Sequence, residues 1–258
     1  PNLCGAWRPP ATCPPPMPLA GAWEGRRRQR RQRAARRAAA GRPSPPLRYT
    51  KHSSSPAATS RAAGEELVVL NRLNTDTLLL YTPGQWAAPT LELALPDLSN
   101  PQDAKWCGDK LWVSLHSADH LPAYDHSGLW VAQADLSDWA GSDGSAEALG
   151  LHVFEGGLYV ALEQFAQDDG WESEGGAVVR VDCETSEVSL VADAAPRPAL
   201  RPGREAGSLL VRTGVDGQID GKVELLDLAT EQRETLLRES DVGTDIPGAE
   251  IHGESLVY

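Results

Sequence analysis

The most constraining feature of this 258-residue chain is a run of apolar residues that returns at long, regular intervals. EELVVLN (65–71), DKLWVSL (109–115), GGLYVAL (156–162), GSLLVRT (207–213) and ESLVY (254–258) align through Leu67, Leu111, Leu158, Leu209 and Leu256, at intervals of 44, 47, 51 and 47 residues. A second series interleaves with the first: TLLLY (77–81), GLWVAQAD (128–135), AVVRVD (177–182) and KVELLD (222–227). These runs are short, rich in Val, Leu and aromatic residues, and bounded by Gly, Asp, Asn and Pro, which is the pattern of strands and tight turns. With weaker strands before and after, the unit is four strands in roughly 45 to 50 residues, the size of one β-propeller blade. A β-solenoid has much shorter coils, and a sandwich has no reason to keep such a period. The reading is therefore all-β, a propeller of four-stranded blades.

The expected blades lie near 64–98, 99–145, 146–194 and 195–240, with the start of a fifth at 248–258. About four repeats are visible and the sequence ends inside a strand, so an incomplete ring is expected, because a closed propeller pairs its last blade with its first.

LVVLNRLNTDTLLLYTPG and SNPQDAKWCGDKLWVSLHS resemble the YVTN-type repeat of YncE-like bacterial β-propellers, in which a strand, an Asn-containing hairpin, a second strand and an NPxD-like lead-in recur. The resemblance covers 64 to 258, with YVTN itself replaced by LVVLN, LWVSL, LYVAL and LLVRT. It implies a ring of about seven blades, used extracytoplasmically, in the periplasm or at the cell surface, for binding or display.

Charge divides the chain in two. Residues 1–62 carry thirteen of the 24 Lys and Arg and one acid, Glu24; the remainder carries eleven basic and 35 acidic side chains. The first part is Pro-, Ala- and Arg-rich without apolar periodicity, and is expected to be a disordered tail. Its run RRRQRRQRAARR, 26–37, has the composition of a nucleic-acid contact, although no aromatic stacking platform accompanies it; a solvated tail is the competing reading. No stretch is long and apolar enough to span a bilayer, and no secretory signal is evident. The cysteines at 4, 13, 107 and 183 lack metal-finger spacing. Two readings of Cys107 and Cys183 stand open: a disulfide, or two small buried apolar residues.

The repeat places the loops between second and third strands on one face. They are SADHLPAYDHS, EQFAQDDGWESEGG and GVDGQIDG, joined by RESDVGTDIPGAE after a fourth strand. The face so defined carries Asp119, Asp125, Glu163, Asp168, Asp169, Glu172, Glu174, Asp216, Asp220, Glu239, Asp241 and Asp245, with Trp171 among them. Its negative potential would repel nucleic acid and attract a cation or a basic protein or peptide. His116, Asp119, His120, Asp125 and His126 form a candidate set of divalent-cation ligands, with a polar loop as the alternative, since HxxxH places two rings together only on a helix. DGQIDG and QDDGWESE hold hard oxygen ligands but lack the spacing of a calcium loop. No GxSxG elbow or local Cys–His signature is present. The expected function is a non-enzymatic binding or scaffold module. The alternatives are a metal-dependent propeller hydrolase or oxidoreductase, and an adaptor holding nucleic acid through its Arg-rich tail.

Overall fold

Strands with apolar residues at every position need cover on both faces, and the second strands of this repeat have that composition. In the structure, a computed structural model, those of the second, third and fourth blades receive it, while that of the first is buried at alternate residues only. The described residues are 58–63, 65–73, 75–166, 172–173, 175–194, 196–204, 207–214, 219–252 and 255–258.

The first blade is a meander of β1 (Ala58–Ala63), β2 (Glu66–Asn71), β3 (Thr77–Tyr81) and β4 (Leu91–Ala94). The second is β5 (Pro101–Cys107), β6 (Lys110–Leu115), β7 (His120–Tyr124) and β8 (Trp130–Asp135). The third uses β9 (Ala148–Phe154), β10 (Gly157–Leu162), β13 (Gly176–Asp182) and β14 (Val188–Ala194), with the small hairpin β11 (Phe165–Ala166) and β12 (Glu172–Ser173) inserted after β10. The fourth is β15 (Ala199–Pro202), β16 (Ser208–Thr213), β17 (Lys222–Asp227) and β18 (Arg233–Arg238), followed by the hairpin β19 (Glu250–His252) and β20 (Ser255–Val257). Every pairing is antiparallel. Helix among the described residues is limited to a single 3-10 turn, Ser137–Trp139, and a four-residue helix, Glu239–Val242. None is long and apolar enough to cross a membrane.

The first strands of successive blades lie beside one another, β1 with β5, β5 with β9, β9 with β15 and β15 with β19, so they form the inner ends of the blades. Burial then falls outward. β10 and β16 are buried at every residue and β6 at all but its first, whereas β8 and β18 are mostly exposed.

Alternate residues of each second strand serve two seams. Leu111, Val113 and Leu115 pack with Val68 and Leu70 between the first two blades, while Trp112 joins Leu158, Val160 and Leu162 in the next seam. Tyr159 and Ala161 turn the other way, against Leu209 and Val211 of the fourth blade. Each fully buried Leu or Val of this kind contributes about 1.5 to 3 kcal/mol. Cys107, at the end of β5, is bonded to Cys183, just beyond β13, so a disulfide spans the second seam.

Two boundaries differ from the sequence expectation. The expected tail, 1–62, overlaps β1, which begins at Ala58. Its ATSRAA carries no apolar alternation; pairing with β2 through the main chain recruits it. Tail residues before 58 lie outside the described residues. The second correction concerns the second blade, where GLWVAQAD is its fourth strand, and HLPAY, expected within a loop, is its third. Pro122 hid it: proline lacks an N–H, and the β6–β7 ladder holds only Leu111 with Tyr124 and Trp112 with Ala123.

Candidate site on the loop face

Because each blade is a meander, the loops after second strands and the connectors between blades share one face, the loop face. The short turns after first and third strands share the opposite one, the turn face. Main-chain bonds join loop to connector on the loop face: His116 N–H to Asn100 O at 3.1 Å, Ala146 N–H to Ala118 O at 2.9 Å, Glu163 N–H to Glu147 O at 3.3 Å, and Gly214 N–H to Pro196 O at 2.8 Å. The connector residues Asn100, Glu147 and Arg197 adopt φ of 50°, 53° and 54°, left-handed backbone that costs a non-glycine residue about 1 kcal/mol or more. Glu147 is fully buried.

Strand alternation decides which residues meet across the seams. His116 extends the side of β6 that carries Trp112 and Ser114, the latter donating to Leu149 O in the third blade, so it also faces that blade. There its Nε2 lies 3.3 Å from Glu163 Oε2. The other carboxylate oxygen of Glu163 lies 3.3 Å from Arg197 Nε on the connector to the fourth blade. Glu163 is thus a nearly buried carboxylate, with 8% of its side chain exposed, held between an imidazole and a guanidinium. Thr213 extends the side of β16 that carries Leu209 and Val211, so it faces the seam between the third and fourth blades.

Several of the acids expected to form an open negative surface are instead occupied within the fold. Glu239 is fully buried and accepts from the N–H groups of Asp220, Gly221 and Ile246 at 3.0, 2.7 and 3.0 Å. Asp241 accepts from Arg238 N–H at the start of the short helix, and Asp245 Oδ1 lies 3.6 Å from Arg212. Asp76 does in the first blade what Glu239 does in the fourth, accepting from the N–H groups of Leu98 and Asn100. Exposed acid persists at Asp220 and at Asp241, whose carboxylate stays in solvent while it caps the short helix, with Asp119 partly exposed; Asp138, outside the expected set, adds to them. Glu172 lies in β12, paired with Ala166. Asp168, Asp169, Trp171, Glu174 and Asp216 lie outside the described residues.

The five-residue metal set does not form one site. His116, Asp119 and His120 are on the loop face, whereas Asp125 and His126 follow β7 on the turn face, roughly 16 Å away at 3.3 Å per strand residue. His120 Nδ1 lies 3.1 Å from Asp119, and its ring stacks on Trp130. Asp125 closes its own turn, accepting from Ser127 N–H, Ser127 Oγ–H and Leu129 N–H, and these bonds hold its carboxyl below the usual range. His126 stacks on Trp106 at 4.1 Å between centroids, and the Trp106 indole donates to Glu66. Among the described residues no group of three or more His, Cys, Asp and Glu side chains is placed to hold a metal.

Sequence reading missed Arg197, Thr213, Glu147 and Ser99. A signal for part of the cluster existed: the fifth position after the aligned leucine is Arg72, His116 and Glu163 in successive blades. Five buried side-chain atoms among the described residues lack a hydrogen-bond partner: Ser99 Oγ, Trp112 Nε1, His116 Nδ1, His120 Nε2 and Thr213 Oγ1. All but Trp112 belong to the loop-face ends of the blades.

No family model matches the chain, and no curated protein matches its sequence. Solved structures do. A virginiamycin B lyase from Staphylococcus aureus aligns with a TM-score of 0.55 at 15% identity, over 81% of this chain and 64% of that one. The fold is a β-propeller. A nidogen/laminin complex aligns at 0.49, with 12% identity over 67% of this chain and 60% of that one. A 6-phosphogluconolactonase-like protein from Bacteroides uniformis aligns at 0.47, with 13% identity over 67% and 50%. This propeller chain spans 64% or less of each of these three structures.

Proposed function

We propose that this chain is a binding module of the propeller type, which docks a basic protein or peptide segment on its loop face. The carrying observation is how charge is distributed there. Glu163, Glu239 and Asp76 are buried and bonded within the fold, which rigidifies the face. Asp138, Asp220 and Asp241 stand in solvent around them. A preorganised surface on which one sign predominates steers a partner of the other and selects it from competitors. The disulfide between Cys107 and Cys183 supports an oxidising, extracytoplasmic setting, in keeping with the resemblance to YVTN-type propellers.

The test uses an oligolysine peptide as probe. Replacing Asp138, Asp220 and Asp241 together by Asn is expected to weaken its binding about three- to tenfold and to flatten its salt dependence. Unchanged affinity in the triple variant would reject the loop face as the docking surface.

A further inference from the structure

Every blade ends in an outer strand whose far edge has no strand beside it among the described residues. Such an edge invites an added strand, and folded proteins guard it with charge, shortness or a bulge. β4 is four residues long and exposes Glu92, β14 exposes Asp193, and β18 exposes Arg233, Glu234 and Arg238. β8 lacks such charge: WVAQAD holds none before Asp135, its last residue. A bulge at Val131 interrupts its ladder to β7, but β14 and β18 are bulged as well, so charge is what sets them apart. Leu129, Trp130 and Val131, where the chain enters β8, are 64%, 43% and 45% exposed, the only run of three exposed large apolar side chains among the described residues.

The apolar entry is held in place. The Trp130 ring stacks on His120 with centroids 5.7 Å apart and lies 6.0 Å from that of Tyr124, while His120 Nδ1 is 3.1 Å from Asp119. A half-exposed indole whose position the fold already sets makes a good interface anchor, because little freedom is left to lose on binding. Charge lies at the other end. β8 runs from the turn face to the loop face, where Leu136 N–H donates to Asp119 O and where Asp135 and Asp138 are exposed. From Trp130 to Asp135 the strand spans about 17 Å, apolar at its start and acidic at its end, and the acidic end runs into the loop face.

That gradient selects the occupant. A second copy of the chain would bring eleven basic against 35 acidic side chains after residue 62 to an edge that already ends in acid. An extended segment of a basic partner uses every feature instead: its main chain meets the open edge, its apolar side chains meet Trp130 and Val131, and its cations meet Asp135 and Asp138. Antiparallel addition, the sense of every ladder in the chain, puts the basic residues of that segment first. We propose that β8 accepts, as a fifth antiparallel strand of the second blade, a partner segment of basic residues followed by alternating apolar ones. This rests on the loop-face reading, because it continues the same basic partner from the loop face down the rim of the blade.

The experiment is fluorescence anisotropy of two labelled octapeptides on the full chain, one of three lysines followed by alternating valine and threonine, the other of three lysines followed by glycine and serine. The valine peptide is expected to bind about tenfold tighter. Trp130→Ala and Val131→Asn should each remove most of that advantage while the affinity for the glycine peptide stays unchanged, and methylating the main-chain nitrogens beyond the lysines should remove it too. Val131→Asn leaves the stack of Trp130 on His120 in place, so it reads the edge even if Trp130→Ala lowers the melting temperature. Equal affinity of the two peptides, or an advantage that survives both substitutions or the methylation, would overturn the proposal; binding of the glycine peptide in that case leaves the loop-face reading standing. Binding by neither peptide rejects both. Self-association of the chain that Val131→Asn abolishes would make a second copy the occupant and overturn the proposal as well.

Discussion

At the scale of single residues, the same side-chain chemistry serves opposite ends. Asp220 and Glu239 both stood out as acids of one face, yet the first is in solvent and the second is fully buried. The difference is main-chain geometry: Glu239 closes on three N–H groups that neither helix nor ladder satisfies. Removing it leaves the Gly221 and Ile246 donors buried and empty. Glu239→Ala is therefore expected to cost about 3 kcal/mol in urea unfolding, and Glu239→Gln, which keeps one acceptor oxygen, distinctly less. Equal costs would show that lost volume dominates instead. Sequence marked Glu239 and Glu163 as candidates through their charge alone. It could not show that they are consumed, because burial depends on which connector lies against which loop. Arg197, in the stretch PRPAL, carried no signal at all.

At the scale of elements, the turns between third and fourth strands repeat a local device. Asp182 and Asp227 end third strands and Asp125 follows one, and each accepts from main-chain N–H groups and from the hydroxyl of Ser127, Thr185 or Thr230. Their carboxyls are held below the ordinary range: by the hydroxyl bonds first for Asp125 and Asp227, and by the main-chain bonds first for Asp182. A carboxyl with a lowered folded value contributes stability that is fully present above its unfolded value, near 3.9. That stability is lost as pH falls through the lower folded value. His152 adds a separate step, since burial, and then the charge of Lys105, lower its value. Its share is full above about 6.5 and declines as pH drops below that. Thermal unfolding followed from pH 8 to 3 should thus fall in two stages, the upper one removed by His152→Gln; a single stage would contradict this assignment. The DxxT spacing of Asp182 and Asp227 was visible as turn sequence, and strands two of all four blades were visible as apolar runs. HLPAY was not, because a proline and flanking histidines break the strand pattern that main-chain pairing with β8 nevertheless sustains.

At the scale of the whole molecule, four blades stack through seams of apolar side chains, and one seam is closed covalently. The Cys107–Cys183 bond joins residues 76 apart in sequence, a long loop whose closure restricts the unfolded chain. Replacing both cysteines by Ser is expected to lower unfolding free energy by about 2 to 4 kcal/mol. No change would mean that the seam packing alone fixes the two blades. The period of the repeat made the propeller legible from sequence, since four short strands in roughly 45 to 50 residues is the size of one blade. The pairing of the cysteines was not legible, because it depends on two strand ends meeting across a seam. The same topology separates the loop face from the turn face, and on that separation the proposed function rests. Hydrogen–deuterium exchange of the full chain with and without oligolysine tests it most directly. Peptide-induced protection should appear at 116–119, 136–147 and 239–245 and leave 125–129, 182–187 and 227–232 unchanged. Protection concentrated in the latter turns would contradict the account.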